Sequence, residues 1–183
     1  MFFDGRQAIL GHEPPIYCRS ITATRLPCFA SDHAAVMKAG DVQRISAGTG
    51  IAHSEYNNSR TEPVHFLQIW LVPSRKNFPP NYAQQSFAGS PPNGLALACS
   101  SDGRGPSLKI NQDVDLYIGK LSPQCRINHP LRDQRHAWVQ LIAGDLDLNG
   151  TLLGAGDGAL ADDERELRLT SVKAAHFLLF DLN

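Results

Sequence analysis

Apolar positions at helical spacing are scarce along the chain, whereas short apolar runs bounded by Gly, Pro, Asn and Asp recur from Val36 to the end. That punctuation predicts an all-β protein. The clearest strands are expected at residues 42–46, 51–56, 64–72, 108–111, 114–121, 136–142, 145–148, 152–153, 166–170 and 176–182. The run 64–71 reads as a strand buried on both faces. Asn149-Gly150 reads as the tip of a type I′ hairpin, because both central residues of that turn need positive φ.

An ordered repeat adds organisation. Val36-Met37-Lys38-Ala39-Gly40-Asp41 echoes Leu152-Leu153-Gly154-Ala155-Gly156-Asp157, and His65-Phe66-Leu67-Gln68-Ile69-Trp70-Leu71 echoes His176-Phe177-Leu178-Leu179-Phe180-Asp181-Leu182. Asp41 and His65 lie 24 residues apart, Asp157 and His176 19. The matches fall in the same order and predict a duplicated β unit, in which an Ala-Gly-Asp turn opens a strand and an apolar strand closes the unit. Between the copies, Pro73, Pro79-Pro80 and Pro91-Pro92 predict a connector without a continuous sheet strand, since proline has no amide donor for a ladder. The expected division is a first module over 36–90, a second over 91–183, and an atypical segment over 1–35 to which alternation assigns no fold.

Composition narrows the classes. The chain has 183 residues with 42% hydrophobic, 19% charged and a formal charge of −1, which excludes wholesale disorder and a nucleic-acid binder recruited by net positive charge. The cysteines, Cys18, Cys28, Cys99 and Cys125, form no C-x-x-C pair and are expected to be free thiols. No apolar window is long enough for a membrane helix, and Met1 to Glu13 is broken by Asp4, Arg6 and His12 where a signal peptide needs an apolar core. The expected compartment is the cytoplasm.

The residues that could carry chemistry centre on His53-Ser54-Glu55. On a strand, His53 and Glu55 share one face and Ser54 takes the other, which brings together two parts of a 2-His-1-carboxylate metal set. An arbitrary H-x-E is more often a pair of solvated residues, but Ser46-Ala47-Gly48-Thr49-Gly50 places a glycine-rich turn directly before this one. His65, His129, His136 and His176 read as structural or surface histidines, and Asp162-Asp163-Glu164-Arg165-Glu166, the segment expected to match His53 and Glu55 in the second copy, as a solvated turn. No G-x-S-x-G nucleophile elbow is present, and Gly48-Thr49-Gly50 leads into a strand rather than the helix a phosphate loop requires.

The stretch Ala39-Gly40-Asp41-Val42-Gln43-Arg44-Ile45-Ser46-Ala47-Gly48-Thr49-Gly50-Ile51-Ala52-His53-Ser54-Glu55-Tyr56-Asn57, with Phe66-Leu67-Gln68-Ile69-Trp70-Leu71, Pro80-x-Tyr82 and the run from Asp102-Gly103-Arg104-Gly105-Pro106 onward, resembles the pirin family of bicupins, close to the bacterial pirin-like quercetin 2,3-dioxygenases. The resemblance covers about residues 34–183. It implies two tandem cupin barrels, the first incomplete here, with one metal in the first barrel held by three histidines and a glutamate. In the family two ligands come from H-S-E, matched by His53 and Glu55, and two from an upstream H-P-H. No H-x-H exists in residues 1–52, where only His12, 41 residues before His53, and His33 are available. The chain therefore resembles an N-terminally truncated or frame-altered member.

The resemblance implies a divalent metal, iron(II) foremost, with nickel, copper, zinc and manganese as alternatives, and a flavonol-like small molecule cleaved with O₂. Glu55 would serve as ligand and base. Weak metal binding and little quercetin oxidation are expected, together with an open sheet edge near residues 42–46. The other reading is a non-catalytic, metal-poor bicupin acting as a binding or regulatory partner. Neither reading includes direct nucleic-acid or membrane binding, and the sequence leaves the oligomeric state unassigned.

Overall fold

Asn149 and Gly150 take φ of 50° and 90°, and Leu148 faces Thr151 across them, so the expected hairpin forms. The chain around it, in the computed structural model, is described for residues 16–22, 26–30, 33–49, 53–55, 57, 59–61 and 63–183. These residues are all β, and among them no helix is long and apolar enough to cross a membrane.

Two sheets make the first unit. β1 (Ile16–Thr22), β4 (Asp41–Ser46), β6 (His65–Leu71) and β7 (Asn81–Ser86) pair in the order β6-β1-β4-β7, and β2 (Leu26–Ala30), β3 (His33–Met37) and β5 (His53–Glu55) in the order β3-β2-β5. The second unit is one continuous sheet of β8 (Gly94–Ser100), β9 (Leu108–Lys109), β10 (Val114–Leu121), β11 (Arg126–Pro130), β12 (His136–Leu148), β13 (Thr151–Gly154), β14 (Gly158–Ala161) and β15 (Glu166–Leu182). It folds over because its long strands bend. β12 carries bulges between Leu141 and Ala143 and between Gly144 and Leu146, and Gly144, at φ 87°, leaves room for the Ala174 carbonyl, which a Cβ there would meet at 1.7 Å.

The units repeat one topology. In the first, β1 pairs with β4 and β6, and β2 with β3 and β5; in the second, the first half of β12 pairs with β14 and the end of β15, and its second half with β13 and the start of β15. Phe66 faces Ile21 and Phe177 faces Leu141 in the equivalent strands.

Four expectations change. The run at residues 64–71 is not buried on both faces: among the described residues β6 pairs only with β1, and its exposure alternates, with Trp70 52% exposed. Residues 42–46 are no open edge, because β4 lies between β1 and β7. The connector holds a strand after all, since β7 is proline-free and the Pro-Pro pairs fall outside it. β8 and β11 went unread because Leu-Ala alternation and a proline-ended Arg-Ile-Asn-His-Pro carry little β signal.

A polar cluster sits beside the second core. Arg135 donates from Nε to Asp181 Oδ1 at 2.5 Å and pairs with Asp113 at 2.9 Å, while His129 Nε2 lies 3.4 Å from Asp181 Oδ2 and edge-on to the Tyr117 ring. Burial pushes the Asp181 carboxyl up, but the hydrogen bonds from His129 and Arg135 outweigh it and hold the group below its ordinary value. Its stabilising effect is therefore present above the unfolded carboxylate range, about pH 4, and is lost as pH falls through it. Asp181→Asn leaves the buried Arg135 guanidinium with only the exposed Asp113 as its anion and should cost up to about 3 kcal/mol. Urea unfolding at neutral pH measures the loss, and the variant should lack part of the parent's acid-limb decline.

Candidate metal and ligand site in the first barrel

Strand register assembles the site. β2 is the central strand of its sheet, so each of its residues faces one on β3 and one on β5. His33, Ala30 and His53 form one row, and Ala35, Cys28 and Glu55 the next but one. Rows two residues apart share a face, so His33, His53, Cys28 and Glu55 occupy positions on one face, and Ser54, in the row of Phe29 and Ala34, takes a position on the other.

That face looks inward. Met37 lies on it, two residues beyond Ala35, is 1% exposed and packs against Val64 and Phe66. Phe66 belongs to the face of the four-stranded sheet that also carries the rows Gln68–Arg19–Gln43 with Gln84, and Trp70–Tyr17–Ile45 with Tyr82. The opposite face, with Val42, Leu67, Ile69, Leu71 and Ala83, packs against the second unit. The two faces meet where Met37 packs against Phe66, whereas Gln68 and Trp70, farther along β6, are exposed.

Polar groups hold this face together. Gln43 is 1% exposed. Tyr82 Oη donates to Gln84 Oε1 at 2.6 Å, and Gln84 Nε2 donates to Asp41 Oδ2 at 3.0 Å and across to the Val36 carbonyl at 3.1 Å, which ties the two sheets together. Asp41 Oδ2 also accepts from the Lys38 amide at 2.9 Å, which closes the Ala-Gly-Asp turn. Sequence reading missed Gln43, Gln84 and Tyr82; only their cross-strand register reveals that they share a face.

The second interior differs at the positions equivalent to His33, His53 and Glu55. Both units join the two strands of this hairpin through two residues, so Ala30 and His33 correspond to Leu148 and Thr151. His53 and Glu55 then correspond to Leu169 and Ser171, not to the acidic run at residues 162–166, of which Asp162, Asp163 and Glu164 are exposed residues between β14 and β15. Leu146, Leu148, Leu153, Leu169, Val139 and Leu179, all at most 5% exposed, fill the second interior. Among the described residues, which include the whole second unit, no group of three or more His, Cys, Asp or Glu side chains could hold a metal ion.

The remaining histidines behave as expected of structural residues. His65 is exposed at the start of β6, and His136 Nδ1 lies 2.6 Å from Asp162 at the surface. His176 is half-buried opposite Lys120, and burial, aided by that lysine, lowers its pKa. His12 lies outside the described residues.

A two-barrel β protein with one polar and one filled lumen is the class these features define. The model of the pirin family matches residues 30–71, and that of the quercetinase C-terminal cupin domain residues 97–182. The chain is 38% identical over 144 residues to a quercetin 2,3-dioxygenase of Escherichia coli strain K12, covering 79% of this chain and 62% of the relative. It therefore spans about 62% of the length of that curated relative. The crystal structure of YhhW from Escherichia coli superposes with a TM-score of 0.88 at 33% identity, over 94% of this chain and 73% of that one. The bacterial pirin YhhW in complex with nickel(II) gives the same TM-score and identity over 93% and 73%. The chain belongs to the pirin family.

The contrast between the interiors predicts opposite responses to truncation. Leu169→Ala opens a cavity in a filled core and should cost about 2–5 kcal/mol. The register-equivalent His53→Ala should cost less than about 1 kcal/mol. Denaturant titration of the two variants without added metal checks the difference.

Proposed function

We propose that this pirin binds one divalent cation in its first barrel through His53 and Glu55, takes a chelating, flavonol-like small molecule beside it, and works in the cytoplasm. The observation that carries this reading is that His53 and Glu55 take the register positions that Leu169 and Ser171 hold in the filled second interior. Imidazole with carboxylate suits iron(II) first and nickel, copper, zinc or manganese as alternatives. The relatives' names agree with a divalent metal and a flavonol, since one is a quercetin 2,3-dioxygenase and another holds nickel(II).

When bound, the cation would act as a Lewis acid toward an oxygen donor of the ligand. His53 would hold it as a neutral imidazole. Glu55 would be a ligand and, placed beside the bound hydroxyl, the group that accepts its proton. The Gln43 and Gln68 amides, each both donor and acceptor, would read the ligand's carbonyl and hydroxyl groups. The Tyr82–Gln84–Asp41 chain would keep that wall fixed while the ligand enters.

Oxygen-dependent ring cleavage is the finer part of the proposal. The missing H-x-H favours a weaker site than a four-ligand pirin and low quercetin turnover, and so keeps open a ligand-binding role without catalysis. Equilibrium binding of nickel(II) should show one site per chain, weakened at least tenfold in His53→Ala and in Glu55→Ala. A red shift of quercetin absorbance on adding the loaded protein should vanish in both. Undiminished binding in both variants would overturn the proposal.

A further inference from the structure

We propose that the outer edge of β6, with the apolar ledge beside it, takes up one extended strand of another polypeptide, apolar at alternate positions, in the way that β15 holds β10. The ledge shows in a single row of the seam. Leu160, Trp138, Phe180, Leu116 and Cys99 face one another in that order across five strands, on the outer face of the second unit. Cys99, Leu116 and Phe180 are 0%, 1% and 8% exposed in the seam with the first unit, Trp138 is half-buried, and Leu160 is 62% exposed. The cover ends between β15 and β12. The order of strands gives the reason. Both sheets start where β7 lies beside β9, but among the described residues the first ends at its fourth strand, β6, while the second continues through β8, β10 and β15 to β12 and β14.

The second unit shows what fits this place. The last part of β15 is the counterpart of β6, and its other side is taken by β10, antiparallel, with Leu116 facing Phe180 and Ile118 facing Leu178. In the repeat Leu178 and Phe180 correspond to Leu67 and Ile69, so a strand added to β6 in the same way sets apolar side chains opposite these two and continues the seam over Trp138. Its alternate residues fall beside Gln68, which is exposed, and are polar. β6 itself, His-Phe-Leu-Gln-Ile-Trp-Leu, carries none of the lysines or prolines that blunt a sheet edge. The ledge is firm, since the Trp138 ring lies against Gly158, where a Cβ would meet it at 2.3 Å. Main-chain pairing along an edge, with apolar contacts for every second side chain, is recognition by strand addition. A whole second copy does not fit there. Each second unit extends past its own β6, so pairing β6 with β6 about a two-fold axis would bring β12 and β14 of both copies into one layer.

The test uses the full chain and a fluorescein-labelled peptide of residues 112–121, which carries the β10 sequence, followed by fluorescence anisotropy and by hydrogen exchange. The peptide should bind at one site per chain and slow exchange of the β6 amides at least tenfold at saturation. The same peptide with Leu116→Asp and Ile118→Asp should bind at least tenfold more weakly. Leu160→Glu in the chain, at an exposed position, should weaken the unaltered peptide at least fivefold, with a parental thermal unfolding curve showing that the fold is intact. Binding that survives Leu160→Glu undiminished, or that leaves β6 exchange unchanged, overturns the proposal. So does a chain that takes up no peptide. In that case β6 amides already protected before the peptide is added assign the place to the chain's own residues, and a dimer that Leu160→Glu abolishes assigns it to a second copy.

Discussion

The first barrel can leave its interior polar because an apolar seam on its outer face holds it to the second. Val42, Leu67, Ile69, Leu71 and Ala83 on one side meet Leu116, Ile118, Leu178 and Phe180 on the other, with Phe87, Ala98, Cys99 and Ile110 closing the layer. Burial of apolar side chains contributes roughly 1.5–3 kcal/mol each for residues of leucine or phenylalanine size. The strands β4 and β6 thus stay in place through one face while the other carries Gln43 and Gln68. Without the seam, those polar rows would have to supply the adhesion themselves, which amides and imidazoles do poorly.

The second barrel shows what the same topology becomes when its interior is filled. β12 runs through both halves of the unit, and its partners Ala161, Leu179, Phe177 and Leu169 belong to the apolar core. The ring of Phe177 lies over Gly119, where a Cβ would meet it at 2.2 Å, so even the absence of a side chain is part of the packing. Its buried Asp181 binds both Arg135 and His129. Two copies of one plan differ in that one has a leucine-filled core and the other carries Gln43 and the His53 and Glu55 positions in its equivalent rows.

Much of this was legible in the sequence, and what was not has a physical cause. The repeat and the Asn149-Gly150 turn gave the duplication and one hairpin because they depend on neighbouring residues. Alternation put His53 and Glu55 at positions on one face of β5 and Ser54 on the other, as the strand register does. Which residue faces which across strands was hidden, since register depends on the whole sheet: counting along the second copy led to the acidic turn at residues 162–166 rather than to Leu169 and Ser171. The two-residue link was the available signal, because aligning residues 31–32 with Asn149-Gly150 sets His33 against Thr151 and His53 against Leu169. The exposure of Trp70 was misread because an apolar run looks the same on an edge strand as in a sheet centre.

The central claim is that one barrel of the two is built to hold a cation. Anomalous diffraction at the nickel edge, from crystals grown with nickel(II), tests it most directly. The account predicts one strong peak per chain beside His53 and Glu55 in the first barrel, and none in the second barrel. A peak within the second interior, or peaks at surface histidines only, would contradict it.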